Sequence, residues 1–468
     1  MHGITLSSAP MDWTVLQQEN GFAAVRLVGH FQVHPAAIAV GVASVRPIYR
    51  IVREDDNFSV VPWTPLNASV NPDFSGSFDT EIRIPAGGLY RIDTSLETRS
   101  TQPGLTWLYR GDCVLHLGVG DLFIIAGQSN SSGYGRDYAL DPPEMGIHLF
   151  RNRSRWDLAS HPMNESTDAG SLPNEEMGIP GVSPYLSFGK NFRKFSGRPV
   201  GFVQVSLGGS PMSRWLPETG DLYGNMMDKI LLTGGKYAGV LWYQGCSDCD
   251  PVSAPLYYRR FESMVTALRK KLGYEIPFFT FQLNRFLACP EDTAWGQVRE
   301  AQRQAALSIP SVHILPTVGS AMSDGIHNSA HASMMLGEKL ARQAAHYLLN
   351  GPEFEAPSIS SAVIEEDGKI CLEFDHMALG FTCPTLIPED TGFTLEDEKE
   401  QIPLTGFRAN RQDLNRIYLT PQRKPGEKAV ISFAWQADPV RFPVMDEVTY
   451  LPPLSFYRFP VKPRAGRQ

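Results

Sequence analysis

Cysteine is scarce in this chain. There are six in 468 residues: Cys113, Cys246, Cys249, Cys289, Cys371 and Cys383. That density excludes a small disulfide-stapled scaffold and fits a reducing compartment. Cys246-Ser247-Asp248-Cys249 is a lone CxxC. A structural zinc site needs a second pair at matching spacing, which the chain lacks, so packed free thiols are expected and a metal is not. Long apolar runs are missing too. The longest, Ala36–Val45, is far too short to span a bilayer, so no membrane partner is expected. The N-terminus MHGITLSSAPMDWTVLQQEN has neither the basic nor the apolar segment of a signal peptide. A cytoplasmic protein is expected, or one whose leader has been removed. Basic excess is absent as well: 42 Lys and Arg stand against 50 Asp and Glu, a net charge of −8. Phosphate binding needs a basic face, and no Lys/Arg stripe with interleaved aromatics exists, so nucleic acid is not an expected partner. The tail Lys462–Arg467 reads as a frayed end.

What is present is an ordinary globular composition, 42% hydrophobic and 20% charged, at a length that suggests two to four domains. Residues 1–118 read as β: short runs such as Ala23–Val28, Ile48–Val52, Thr80–Ile84 and Trp107–Arg110 alternate with Pro, Gly, Asn and Asp clusters. A sandwich or jelly-roll-like domain is expected there. Residues 119–350 alternate strands with helices. Strands are expected at Leu122–Ala126, Val200–Ser206, Gly239–Tyr243, Pro277–Leu283 and Val312–Val318. Helices are expected at Tyr185–Phe195, Leu222–Leu232, Tyr257–Leu272, Trp295–Ser308 and His331–Leu349. Five strands with intervening helices describe a parallel sheet covered on both faces. The Asn-, Ser-, Pro- and Gly-rich stretch from Ser154 to Pro184 is long for a connection and is expected to be a substrate-side loop or lid. Residues 353–463 return to β signals at Ile370–Phe374, Ile417–Leu419, Ala429–Ala434 and Ser455–Phe459.

Four blocks carry chemistry, each just past a strand of the α/β section: Gly127-Gln128-Ser129-Asn130, Ser206-Leu207-Gly208-Gly209-Ser210, Trp242-Tyr243-Gln244-Gly245 and Asp324-Gly325-Ile326-His327. In a parallel sheet these ends point one way, so the blocks can converge although about 200 residues separate the first from the last. Acyl transfer needs a hydroxyl, an imidazole to take its proton, a carboxylate on the ring's other nitrogen and donors for the oxyanion. Ser129, His327 and Asp324 supply the first three. The backbone N–H of Ser129, the N–H of Gly208 and the side-chain amide of Gln244 are candidate oxyanion donors, with Gly209 an alternative to Gly208. A serine alone is more often a turn former; the coincidence of four strand-end blocks reverses that preference. His331 is the rival base, but no Asp stands three residues before it. Gln244 also reads as a satisfied buried amide. Tyr134, Arg136 and Trp215 lie near the blocks, where they either contact sugar or serve the structure. Arg299–Glu300 reads as helix support.

The set GQSN (127–130), GGS before Trp215, WYQG (242–245) and DGIH (324–327) resembles the SGNH hydrolases, specifically the sialate O-acetylesterase-like carbohydrate esterases. Trp295 with Val298-Arg299-Glu300-Ala301-Gln302 is similar to a helix of that family. The segments PVRFP (439–443) and LPPLSFYRF (451–459) match a C-terminal stretch more loosely. The resemblance implies a five-stranded parallel flavodoxin-like sheet with helices on both faces in residues 119–350. β-rich, sandwich-like domains at 1–118 and 353–463 would flank it. It implies that Ser129 is the nucleophile, His327 the base and Asp324 its orienter, with Ser129, Gly208 and Gln244 as the oxyanion hole. It further implies an O-acetylated carbohydrate as substrate (a sialic acid first, a plant-glycan oligosaccharide next) and no cofactor. A homo-oligomer is compatible with it. Cys246 stands where the family usually has Glu, which puts the role of that carboxylate in doubt. Two other classes remain open: a short-chain lipase or thioesterase of the same fold, and a non-catalytic carbohydrate-binding protein.

Overall fold

A computed structural model describes residues 2–167, 169–170, 172–287, 292–383, 385, 387–410, 413–439 and 444–464. Cys289, most of PVRFP and the last four residues lie outside that set.

The chain is mixed α/β with several sheets. Its centre is one sheet in which Ile147–Phe150, Val200–Gln204, Thr106–Gly127, Gly239–Tyr243, Phe278–Phe281 and Val312–Leu315 lie side by side in that order. All five neighbouring pairs are parallel. This differs from the expectation of a five-stranded parallel sheet. Ile147–Phe150 adds a sixth parallel strand, and Trp156–Leu158 adds an antiparallel edge beside it. The sheet also does not end there. Thr106–Gly127 is 22 residues long, and its first half pairs antiparallel with Gly87–Ser100. One strand therefore runs through the position near 118 where the composition changes.

The apolar run Leu122–Ala126 shows why the sheet is buried on both faces. Leu122, Ile124 and Ala126 pack into one cluster with Val240 and Trp242. Phe123 and Ile125 alternate into the other with Leu241 and Tyr243. A strand apolar on both sides needs helices on both sides. Asp221–Leu232, Tyr257–Leu272 and Asp292–Ser308 cover the first face; Pro184–Ser196 and Ala330–Leu349 cover the second. Tyr257–Leu272 buries Tyr257, Phe261, Met264, Val265 and Leu268, a stripe at helical spacing. It stops at Gly273, whose φ of 78° suits a residue without Cβ. Ser183 and Ser329 cap the two helices of the other face by accepting from Tyr185 N–H and Ala332 N–H.

The N-terminal region is a β-sandwich. Ile4, Val25, Leu27 and Ile82 of one sheet share a core with Ile51, Ile92, Leu96 and Val114 of the other. The C-terminal region places a five-stranded and a four-stranded sheet around Leu372, Ile417, Ile431 and Phe433. Among the described residues, no helix is long and apolar enough to cross a membrane.

Candidate active site

The first block turns immediately after its strand. Gly127 has φ 123°, and a Cβ there would lie 2.3 Å from the Tyr243 carbonyl oxygen, so the neighbouring strand passes too close for a side chain. Ser129–Ser132 then forms a single helical turn. Its three serines differ. Ser131 Oγ donates to the Ala126 carbonyl at 2.8 Å and lies 3.0 Å from Tyr185 Oη, and Ser132 Oγ pairs with Ser206 Oγ at 3.0 Å. Both are fully buried, and their hydroxyls are structural. Ser129 retains 7% exposure.

Asn130 joins the first block to the last. Its Oδ1 accepts the Asn328 N–H at 3.0 Å, and its Nδ2 donates to the Ile326 carbonyl at 3.3 Å. The residue after Ser129 is thus bonded to both neighbours of His327. Tyr134 stacks on the His327 ring with centroids 4.7 Å apart, and Arg136 N–H donates to Ser323 Oγ at 3.0 Å. Ser129 and His327 therefore belong to one site. Among the described residues, no hydrogen bond joins the Ser129 hydroxyl to the imidazole.

Asp324 and His327 form the expected pair. Asp324 Oδ2 lies 2.7 Å from His327 Nδ1, while Oδ1 accepts the N–H groups of Ile326 and His327 at 2.9 and 2.8 Å. Partial burial pushes the Asp324 carboxyl up, but the bonds from the His327 ring and the two backbone N–H groups outweigh it. Its pKa is held below the ordinary carboxylate value. An ionised carboxylate on Nδ1 assigns the proton there and leaves Nε2 as the basic nitrogen. His331, the rival, is a surface group: its side chain is 70% exposed, with Asp137 at 3.7 Å.

Gly208 N–H donates to Glu176 Oε2 at 2.9 Å, and Tyr134 Oη donates to Glu176 Oε1 at 2.7 Å. Burial and this carboxylate hold the Tyr134 pKa well above the ordinary phenol value, so the hydroxyl stays a donor. Glu176 lies in the 154–184 loop, and a network of buried asparagines fixes that loop. Asn152 Nδ2 donates to Asn164 Oδ1 and Ser166 Oγ, Asn174 Nδ2 donates to Asn152 Oδ1, and Ser166 Oγ accepts the Glu176 N–H. Neither Glu176 nor these asparagines was singled out from the sequence.

Two expected roles change. Gln244 is not placed as an oxyanion donor, because its Nε2 is committed to the Ser210 carbonyl at 3.1 Å and to Asp248 Oδ2 at 2.6 Å. Turning the amide over would set its oxygen against that carboxylate, so the orientation is fixed. Gln244 holds the second and third blocks together. Trp215 is fully buried, packs edge-to-face on Trp242 and donates its indole N–H to Ser210 Oγ. It is a core residue and out of reach of a sugar. Tyr134 and Arg136 do border the site, the Arg136 guanidinium lying 4.8 Å from the Tyr134 ring centre. Cys246 Sγ lies 3.9 Å from Asn284 Oδ1, and burial pushes its thiol up to about 12. No disulfide joins Cys246 and Cys249. Asn284 was also missed. It follows the Phe278–Phe281 strand and donates to the Ile326 carbonyl at 2.8 Å.

A strand-end serine and a carboxylate-bound histidine, beside a loop tied down by buried asparagines, are the arrangement of a carboxylic ester hydrolase of the α/β type. Residues 119–346, just under half of the chain, match the family described as carbohydrate esterase, sialic acid-specific acetylesterase. A probable carbohydrate esterase of Arabidopsis thaliana is 27% identical over 245 residues, 47% of this chain and 88% of the relative. The crystal structure of a carbohydrate acetylesterase from Xanthomonas citri shares the fold with a TM-score of 0.65 at 19% identity. That likeness covers 97% of this chain and 99% of the other, so it takes in the flanking β regions as well.

Proposed function

We propose that the protein is a serine carbohydrate O-acetylesterase with Ser129, His327 and Asp324 as its catalytic residues. Ser129 Oγ attacks the acetyl carbonyl carbon as His327 Nε2 takes its proton. The tetrahedral oxyanion is held by the N–H groups of Ser129 and Gly208. Its collapse breaks the C–O bond to the sugar, whose oxygen receives the proton from His327. Water, deprotonated by the same ring, then attacks the acetyl-enzyme and releases acetate. Asp324 keeps the ring oriented and stabilises the imidazolium. The parallel strands around Leu122–Ala126 are read as the flavodoxin-like core of this chemistry, with residues 1–118 and 353–463 as separate β domains.

The single observation that carries this reading is the Asp324–His327 pair at 2.7 Å, tethered through Asn130 to the turn that bears Ser129. The family description supports acetate as the acyl group and a sialic acid as the first sugar to test, with acetylated plant-glycan oligosaccharides next. Ser129→Ala is expected to lower turnover of 4-nitrophenyl acetate by several orders of magnitude. The unaltered enzyme is expected to prefer acetate over octanoate esters and to release acetate from O-acetylated sialosides. Near-normal turnover in Ser129→Ala refutes the proposal, and a preference for octanoate replaces the acetylesterase with a lipase.

A further inference from the structure

The proposed oxyanion position already has an occupant. The Gly208 N–H that an acyl oxygen would use is already bonded to Glu176 Oε2 at 2.9 Å, and the other oxygen of the same carboxylate accepts from Tyr134 at 2.7 Å. The fit is close: a Cβ on Gly208 would lie 3.0 Å from each Glu176 oxygen and from Tyr134 Oη. Glu176 is also anchored, since its own N–H donates to Ser166 Oγ and Ser166 is bonded to buried Asn152. A carboxylate, an acetate ion and a tetrahedral acyl oxyanion share one feature: each offers a negatively charged oxygen to an N–H donor. Such charge-assisted bonds are about twice as strong as neutral ones.

We propose that Glu176 is a further residue of the active site, an internal carboxylate that holds the acyl-oxygen position on Gly208 until the substrate's acetyl group displaces it. The proposal rests on the esterase reading above. A neutral ester carbonyl is the weaker acceptor and binds against this competition, whereas the oxyanion restores a charged partner to the vacated N–H. Displacement therefore weighs on the bound ester more than on the transition state. Product acetate meets the same competitor, which keeps it from lingering on the donor it has just used.

The test is steady-state kinetics on full-length Glu176→Ala and Glu176→Gln with 4-nitrophenyl acetate as substrate and sodium acetate as inhibitor. The expected result for Glu176→Ala is a lower KM and an acetate inhibition constant reduced by about tenfold or more, the range of one charged hydrogen bond. Glu176→Gln keeps an oxygen for Tyr134 and is expected to fall between Glu176→Ala and the parent enzyme. If Glu176 only supports Tyr134 and the loop, kcat falls while the acetate constant stays put; that outcome overturns the proposal, and so does an unchanged enzyme. Should Glu176→Ala fail to fold, Glu176→Gln decides. The esterase reading is checked apart from this. Calorimetric titration of acetate into Ser129→Ala and Ser129→Ala/Glu176→Ala compares occupancy of the site without turnover, and activity surviving Ser129→Ala counts against the esterase reading alone.

Discussion

Ser129, Ser131 and Ser132 sit within one helical turn, and hydrogen bonding sorts them: two hydroxyls are consumed inside the fold. Burial and distance separate His327 from His331: the first ring is 15% exposed with its carboxylate at 2.7 Å, the second 70% exposed with its carboxylate at 3.7 Å. The contribution of Asp324 is checked by Asp324→Asn. An asparagine still accepts the Ile326 and His327 N–H groups, so the turn survives. Its amide N–H, however, faces Nδ1 and forces the proton onto Nε2, where the base should be. A loss of kcat of about four orders of magnitude is expected, with the circular dichroism spectrum retained; a near-normal kcat contradicts the role. The three proposed catalytic residues could be named from the sequence because each stands in a short polar block that follows an apolar strand signal. Gln244 misled because its side-chain amide answers to Asp248, a partner whose burial no local pattern announces. Glu176 was hidden because it lies in a loop, where neither periodicity nor spacing marks a side chain for a distant N–H.

At the scale of elements, the five helices of the central region fall within a few residues of their expected limits, because each carries an apolar stripe at helical period. Ile147–Phe150 escaped because four residues between loops give no such signal. It matters, since the carbonyls that follow it hold Lys229. The Nζ of that buried lysine, on helix Asp221–Leu232, donates to the Asn152 and Arg151 carbonyls at 2.9 and 3.4 Å. Burial pushes its pKa down to about 8 from 10.5. Between these values the unfolded chain holds a proton that the folded chain lacks, so stability should rise with pH across that window, by at most about 1.4 kcal/mol per pH unit. Below the folded value the burial penalty of the charge is fully present. Urea unfolding at pH 8 and pH 10 is expected to show a rise in the parent protein that Lys229→Met lacks. Equal slopes in the two proteins contradict this reading of the strut beneath the loop.

For the molecule as a whole, composition marks a change near residue 118 while the backbone hydrogen bonding of Thr106–Gly127 passes through it. Sequence reading sees composition and misses continuity, because a strand's partners lie far away in the chain. A similar seam joins the centre to the C-terminal β region. Arg299, fully buried, donates to the Leu283, Asn284, Ala434 and Gln436 carbonyls. Gln282 donates to the Ser455 carbonyl at 2.8 Å and accepts its N–H at 2.8 Å. Arg299 was read as helix support; its reach across to the β region became visible only in three dimensions. These seams tie the central sheet to both β regions, and the proposed chemistry needs Ser129 and His327, from opposite ends of the central region, to meet. The most direct measurement of their union is covalent labelling with a serine-directed phosphonate ester, mapped by peptide mass spectrometry. The account predicts one modified residue, Ser129, in the parent protein and a severe loss of labelling in His327→Ala. Modification at another residue, or undiminished labelling of Ser129 without His327, would contradict it.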